Sequence, residues 1–168
     1  MKILLLGEAG VGKTSLIRRM ASNKFEDSYL LTVGMDPTDI NMKIDKGGKS
    51  FNVNITIWDI AGQERFKIFR QAFYRAGNAA LLVFDLTRPA SLDKLDNWVH
   101  EFWSKCGHDK PILLVGNKED LIDLISVDDE QMEEFVKEYN AIGYIKTSAL
   151  TGQKVKEAFT QIVEKQIN

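Results

Sequence analysis

The stretch Lys2-Ile3-Leu4-Leu5-Leu6-Gly7-Glu8-Ala9-Gly10-Val11-Gly12-Lys13-Thr14 decides the fold. Lys2 to Leu6 is a short apolar run ended by a glycine, the pattern of a strand buried on both faces of a parallel sheet. From Lys13 to Asn23, Leu16, Ile17 and Met20 recur at helical spacing with Arg18 and Arg19 on the other side, so a helix follows. Between the two, Gly7 to Thr14 fits G-x-x-x-x-G-K-[ST], and a preceding strand and a following helix are the setting in which that pattern wraps phosphate. Glycines let the backbone N–H groups point inward and the helix N-terminus adds positive potential. Lys13 then reaches the β- and γ-phosphates, and Thr14 offers its hydroxyl to Mg2+. Glu8, Ala9, Gly10, Val11, Gly12, Lys13, Thr14 and Ser15 are the ligand-binding residues this pattern predicts.

Working outward, residues 39 to 58 alternate apolar and polar on both sides of Lys46-Gly47-Gly48-Lys49, which predicts a β-hairpin and one antiparallel pair in the sheet. Strand and helix then alternate. Strands are expected at Ala79 to Phe84, Ile112 to Val115 and Ile142 to Ile145, and helices at Ser91 to Cys106, Asp128 to Tyr139 and Val155 to Ile167, with one more starting near Phe66. The prediction is an α/β fold: a six-stranded, mostly parallel sheet with one antiparallel strand and five helices on its two faces. Ligands of such a sheet bind at the carboxyl ends of the strands. Lys24 to Pro37 has no clear periodicity and is long for a connection without a function.

The chain's 168 residues fit one domain, 1–168, and 44% of them are hydrophobic, enough for a core without disulfides or a structural metal. Twenty-two Lys plus Arg against 24 Asp plus Glu give a net charge of -2, which is no footprint for a nucleic-acid duplex, so no nucleic-acid ligand is expected. Cys106 is the single cysteine, and a reducing, cytoplasmic setting is expected. No apolar run approaches the ~20 residues of a membrane span, and no cysteine lies near Asn168, so no direct lipid anchor is expected in the chain as given.

A phosphate loop does not choose among ATPases, kinases and GTPases; a base reader does. Asn117-Lys118-Glu119-Asp120 follows the strand Ile112 to Val115, at its carboxyl end. The Asp120 carboxylate only accepts, and guanine offers two adjacent donors, N1–H and the 2-amino group, where adenine offers neither. Leaving the carboxylate unpaired against adenine is what rejects ATP.

With these residues in view the sequence resembles a small GTPase of the Ras superfamily, closest to the Rab branch, along essentially its whole length. Trp58-Asp59-Ile60-Ala61-Gly62-Gln63-Glu64-Arg65-Phe66 is similar to the Rab stretch at the second switch, Phe73-Tyr74-Arg75-Ala76-Gly77 resembles the segment after it, and Thr147-Ser148-Ala149 is similar to the last guanine-contact loop. The resemblance implies a P-loop GTPase fold and a GTP/GDP switch with Mg2+. Asp59 holds the metal through a water, the Gly62 N–H meets the γ-phosphate, and Gln63 positions the attacking water. Phe25 packs on guanine, Tyr29 closes over the phosphates, and Thr32 binds Mg2+ only with GTP. Ser148, Ala149 and Leu150 line the base, with the Ala149 N–H on its carbonyl. Lys24 to Pro37 and Asp59 to Arg75 become the two switches, where an exchange factor, an activating protein and effectors dock on a monomeric chain. Membrane association, if any, is expected to be peripheral or indirect.

Three positions and the C-terminal end depart from the pattern. Ala9 stands where Ras itself has glycine, Pro37 where Rab proteins usually carry an aromatic, and Leu150 where lysine is usual, as in the Rho branch; C-terminal cysteines are missing. Two rival readings stand beside hydrolysis: a GTP-binding interaction module without turnover, and an ATP-using phosphotransferase, which Asn117 and Asp120 oppose. His100, Cys106 and His108 lack a sensibly spaced fourth metal ligand and are expected to be surface residues. On the predicted helix, Leu92, Leu95, Val99, Phe102 and Cys106 form the core stripe, leaving Trp98 or Trp103 the more exposed, with packing favoured over docking for both.

Overall fold

The computed structural model describes residues 1–23, 35–63, 65 and 67–167. The expected residues Phe25, Tyr29 and Thr32, most of Lys24 to Pro37, and Glu64 and Phe66 lie outside the described residues. Six strands, β1 (Lys2–Leu6), β2 (Met35–Lys46), β3 (Lys49–Ile60), β4 (Ala79–Asp85), β5 (Ile112–Asn117) and β6 (Tyr144–Lys146), form one sheet in the order β2-β3-β1-β4-β5-β6. Only β2 with β3 is antiparallel; every other neighbouring pair is parallel. The helices are α1 (Lys13–Ser22), α2 (Lys67–Phe73), α3 (Pro89–Asp93), α4 (Leu95–Cys106), α5 (Asp129–Glu138) and α6 (Val155–Glu164), with a 3-10 turn at Ile122–Leu124.

Alternation of side chains along the central strands builds two cores at once. Ile3, Leu5, Leu81, Val83, Leu113 and Val115 face Leu16 and Ile17 of α1 and Phe159, Ile162 and Val163 of α6. Their neighbours Leu4, Leu6, Leu82, Phe84 and Leu114 face Trp98, Val99 and Phe102 of α4 and Phe135 of α5. This is why β1, β4 and β5 read as unbroken apolar runs. No helix among the described residues is long and apolar enough to cross a membrane.

The predicted helix Ser91 to Cys106 is two pieces, interrupted only at Lys94 and beginning earlier because Pro89 suits a first helical turn. Counted as one, they give the five helices expected. The hairpin strands also run further than the alternation did: β2 starts at Met35 and passes through Pro37, which is tolerated because β2 is an edge strand. β6 begins at Tyr144 rather than Ile142, and α6 ends at Glu164 rather than Ile167. Trp98 is 2% exposed, so the expectation of a projecting tryptophan is corrected for that residue; Trp103 is the half-buried one. The indole of Trp98 packs inside because Glu8 gives its N–H an acceptor at 3.4 Å.

The strand order reverses at β1, whose neighbours are β3 and β4, while the chain leaves β1 toward one side of the sheet and later returns to the other. Such a reversal opens a crevice at the carboxyl ends of the strands.

Candidate functional site

The glycine-rich loop leaves β1 at this crevice and enters α1 through Gly12, whose φ of +99° lies in the left-handed region. A Cβ on Gly12 would stand 2.2 Å from Asn117 Nδ2, so glycine is required here for space as well as for conformation. Lys13 is 5% exposed, and its ammonium donates to the carbonyls of Gly7 and Glu8 at 2.8 Å each, folded over the loop it belongs to. The Thr14 hydroxyl donates to Asp59 Oδ2 from the end of β3. A hydroxyl and a carboxylate meeting in this way make a hard-oxygen pair, which fits a hexacoordinate divalent cation such as Mg2+ and not a soft metal.

Past Asp59 the chain lies against the loop. A Cβ on Gly62 would come within 2.4 Å of Ala9 N and Glu8 C, so only glycine lets the two backbones approach this closely. Gln63, half-buried, follows it.

The other half of the crevice is built from β5 and β6. Asn117 ends β5 in register with Asp85 of β4 and is 1% exposed. Its side-chain N–H donates to Val11 O at 2.9 Å, and its Oδ1 accepts the Thr147 hydroxyl and the Ala149 N–H at 3.2 Å each. The Ser148 hydroxyl donates to Asp120 Oδ1 at 2.5 Å and accepts the Thr151 N–H at 3.1 Å. Three segments remote in sequence, the glycine-rich loop, 117–120 and 147–149, thus form one hydrogen-bonded wall. One hydroxyl does not exhaust a carboxylate with about four lone-pair sites, so Asp120 retains acceptor capacity. Leu150 is 49% exposed at the edge of this wall.

Lys118, at a φ of +72°, turns its ammonium to Asp85 Oδ2 at 2.7 Å. Burial pushes the Asp85 carboxyl up, but hydrogen bonds from Lys118 and Thr87 outweigh it and hold the group below the usual carboxylate range. Arg88 also pairs with Asp85 Oδ2, at 3.0 Å, and extends Nη2 to Ala9 O at 3.2 Å. Lys94 reaches Glu8 Oε2 at 3.1 Å beside the Trp98 indole. The outer side of the glycine-rich loop is therefore braced by Arg88 just before α3, Lys94 between α3 and α4, and Trp98 of α4.

Of the residues expected from sequence, Glu8 to Thr14, Asp59, Gly62, Gln63, Asn117, Lys118, Asp120 and Ser148 to Leu150 come together at the ends of β1, β3, β5 and β6. Asp85, Arg88, Lys94, Trp98 and Arg19 were not anticipated. The signal available for Asp85 and Arg88 is the segment Asp85-Leu86-Thr87-Arg88, polar at three of its four residues, at the carboxyl end of a strand that neighbours β1. His100, Cys106 and His108 have other contacts: His100 Nε2 lies 3.0 Å from Asp96, His108 stacks near Trp103, and the Cys106 thiol donates to Tyr74 O at 2.8 Å.

Comparison with known proteins relates the chain as a whole to one family. The Ras family model matches residues 2–168. The chain is 37% identical to the Ras-related protein Rab-27B of Rattus norvegicus over 171 residues, covering 98% of this chain and 78% of the relative. It is 39% identical to the GTP-binding protein YPT53 of Saccharomyces cerevisiae, covering 98% and 76%, and 38% identical to Ras-related protein Rab-21 of Bos taurus, covering 99% and 72%.

Proposed function

The chain belongs to the Ras family, in its Rab branch of small GTPases, and from that premise we propose that it is a Mg2+-dependent guanine-nucleotide switch that hydrolyses GTP slowly to GDP and phosphate. The observation that carries this reading is the single wall in which Asn117, Asp120, Ser148 and Ala149 are cross-linked to the phosphate loop through Val11. It links the base site to the phosphate site, so one ligand spans both.

On binding, the Lys13 ammonium exchanges two carbonyls for oxygens of the β- and γ-phosphates, a charge-assisted pairing stronger than the one it leaves. The loop N–H groups and the α1 N-terminus take the remaining phosphate charge. Asp120 accepts from the guanine N1–H and 2-amino group, and the Ala149 N–H meets O6. Thr14 and Asp59 would hold Mg2+, Asp59 through a water and Thr32 joining them with GTP, and the ion would supply charge neutralisation to the phosphates. Gly62 presents its N–H to the γ-phosphate, and Gln63 orients a water for in-line attack on the γ-phosphorus. The bond from that phosphorus to the β–γ bridging oxygen breaks, and the water's proton leaves with the phosphate.

No arginine occurs in Lys24 to Pro37, so the first switch supplies no cis arginine to the transition state, and an unassisted rate on the order of 10⁻⁴ s⁻¹ is expected. An activating protein would raise it, and an exchange factor and effectors would engage the same switches on a monomeric chain. Ile68 and Phe69, 84% and 69% exposed on α2, support a protein-binding role for the second switch. A cytoplasmic location with peripheral or indirect membrane association fits the single cysteine and the Rab relationship.

The test is to denature the purified protein, identify the nucleotide released, and follow phosphate release from added GTP in single turnover. Guanine nucleotide, slow release, and a further loss of about 10- to 100-fold in Gln63→Leu with GTP affinity kept are expected. Bound adenine nucleotide, or unassisted turnover near about 1 s⁻¹, would overturn the reading.

A further inference from the structure

Arg19 lies in the last turn of α1, and its guanidinium reaches the loop after β6, 130 residues away. Nε donates to Ala149 O at 2.9 Å, Nη2 to Leu150 O, and Nη1 to Asn23 O, also at 2.9 Å. Its stem lies along Gly152, where a Cβ would sit 3.4 Å from the arginine Cδ; Gly152 itself has a φ of +87° and donates its N–H to Ser148 O at 2.8 Å. The turn from Ser148 to Gly152 is thus held from two sides. Asn117 takes the Ala149 N–H on one side, and Arg19 takes the Ala149 and Leu150 carbonyls on the other.

We infer that Arg19 is a positioning residue for base recognition, fixing the Ala149 peptide so that its N–H, which donates to Asn117 Oδ1 in this structure, is presented to guanine O6 when the base binds. The inference rests on the nucleotide reading above. Its physical basis is the fork geometry of the guanidinium. A planar group with five donors spans three carbonyls at fixed angles, which a single ammonium on a flexible stem cannot do. α1 begins at the phosphate site and Arg19 ends it at the base site, so the same helix sets the separation between the two ends of the nucleotide. Asp120 is tied to the Ser148 hydroxyl, and the 117–120 segment to Thr147 O through the Glu119 N–H; Arg19 bonds neither of these atoms.

That separation makes the test specific. In 6-thio-GTP a sulfur, a weak acceptor, replaces O6 while N1–H and the 2-amino group remain; in ITP O6 remains and the 2-amino group is missing. Competition of GTP, ATP, 6-thio-GTP and ITP against a fluorescent GDP is measured on the parent, Arg19→Ala and Arg19→Lys. Arg19→Ala is expected to weaken GTP about 10-fold and to compress the GTP to 6-thio-GTP preference at least about 3-fold, with the GTP to ITP preference unchanged within about 2-fold. Arg19→Lys should fall between the two. If Arg19→Ala does not fold, Arg19→Lys, which keeps the charge and the stem, bears the same comparison. A 6-thio-GTP preference identical to the parent in the folded variant overturns the inference alone. A parent that fails to prefer GTP to ATP overturns the nucleotide reading and the inference with it.

Discussion

In the wall at the ends of β5 and β6, Asn117, Thr147, Ser148 and Ala149 are each no more than 4% exposed and each has a partner from another segment, whereas Ile68 and Phe69 of α2 are 84% and 69% exposed. None of the described side chains of α2 is fully buried. Both regions flank the same crevice. The contrast separates two jobs: groups that read the constant part of a ligand are pre-organised by buried hydrogen bonds, and the element that follows Gly62 carries Ile68 and Phe69 on the surface, attached through Lys67 with Glu101 at 3.6 Å and through Phe73 against Trp58. An element with few buried contacts has a low local stability and responds to a small change at its end. Gly62 is that end, packed on the backbone of Ala9.

The largest effect that would break the comparison lies in the wall. Asp120→Asn puts an amide donor against the guanine 2-amino group, losing a hydrogen bond to a charged acceptor and leaving a donor unpaired. The cost is on the order of 2 to 4 kcal/mol, or about 30- to 1,000-fold in GTP affinity. Xanthine, with a carbonyl in place of that amine, satisfies the new donor, so competition of GTP with XTP should show the preference inverted. A mutant that still prefers GTP would mean that Asp120 does not read the base.

A smaller effect concerns the brace behind the wall. The folded-state pKa of Asp85 lies below its usual 3.8, so the stability it contributes is complete above that value and is lost as pH falls through the lower folded-state value. Denaturant unfolding followed between about pH 5 and about pH 2 should show a steeper loss in the parent than in Asp85→Asn. Equal slopes would mean that the Lys118 and Arg88 pairings do not act through the charge of Asp85.

The smallest effect is expected on the exposed side. The pair Ile68→Ser and Phe69→Ser should change unfolding free energy by less than about 0.5 kcal/mol, because neither side chain is buried in the isolated chain. A change of several kcal/mol would place α2 in the core and remove the contrast.

How much of this was legible in the sequence follows the same division between local and distant. Gly7 to Thr14, Asn117 to Asp120 and the hairpin about Gly47-Gly48 declare themselves because their meaning lies in spacing within a few residues. Arg19 with Ala149, Arg88 with Ala9, and Lys94 with Glu8 are pairs 79 to 130 residues apart, and no local pattern encodes them. Trp98 illustrates the failure in one residue: a helical stripe through Leu95, Val99 and Phe102 leaves it beside the core, and the carboxylate of Glu8, 90 residues away in sequence, gives its N–H an acceptor where it packs within. Pro37 reads as the close of a loop, yet an edge strand has no need of its missing N–H and β2 continues through it.

Hydrogen–deuterium exchange with GDP and with a non-hydrolysable GTP analogue bears on the switch itself. The account predicts that amides of 114–117 and 144–149 are protected alike in both states, while those of 59–73 gain protection with the analogue. Protection of the wall that changes between the two nucleotides while 59–73 stays the same would contradict it.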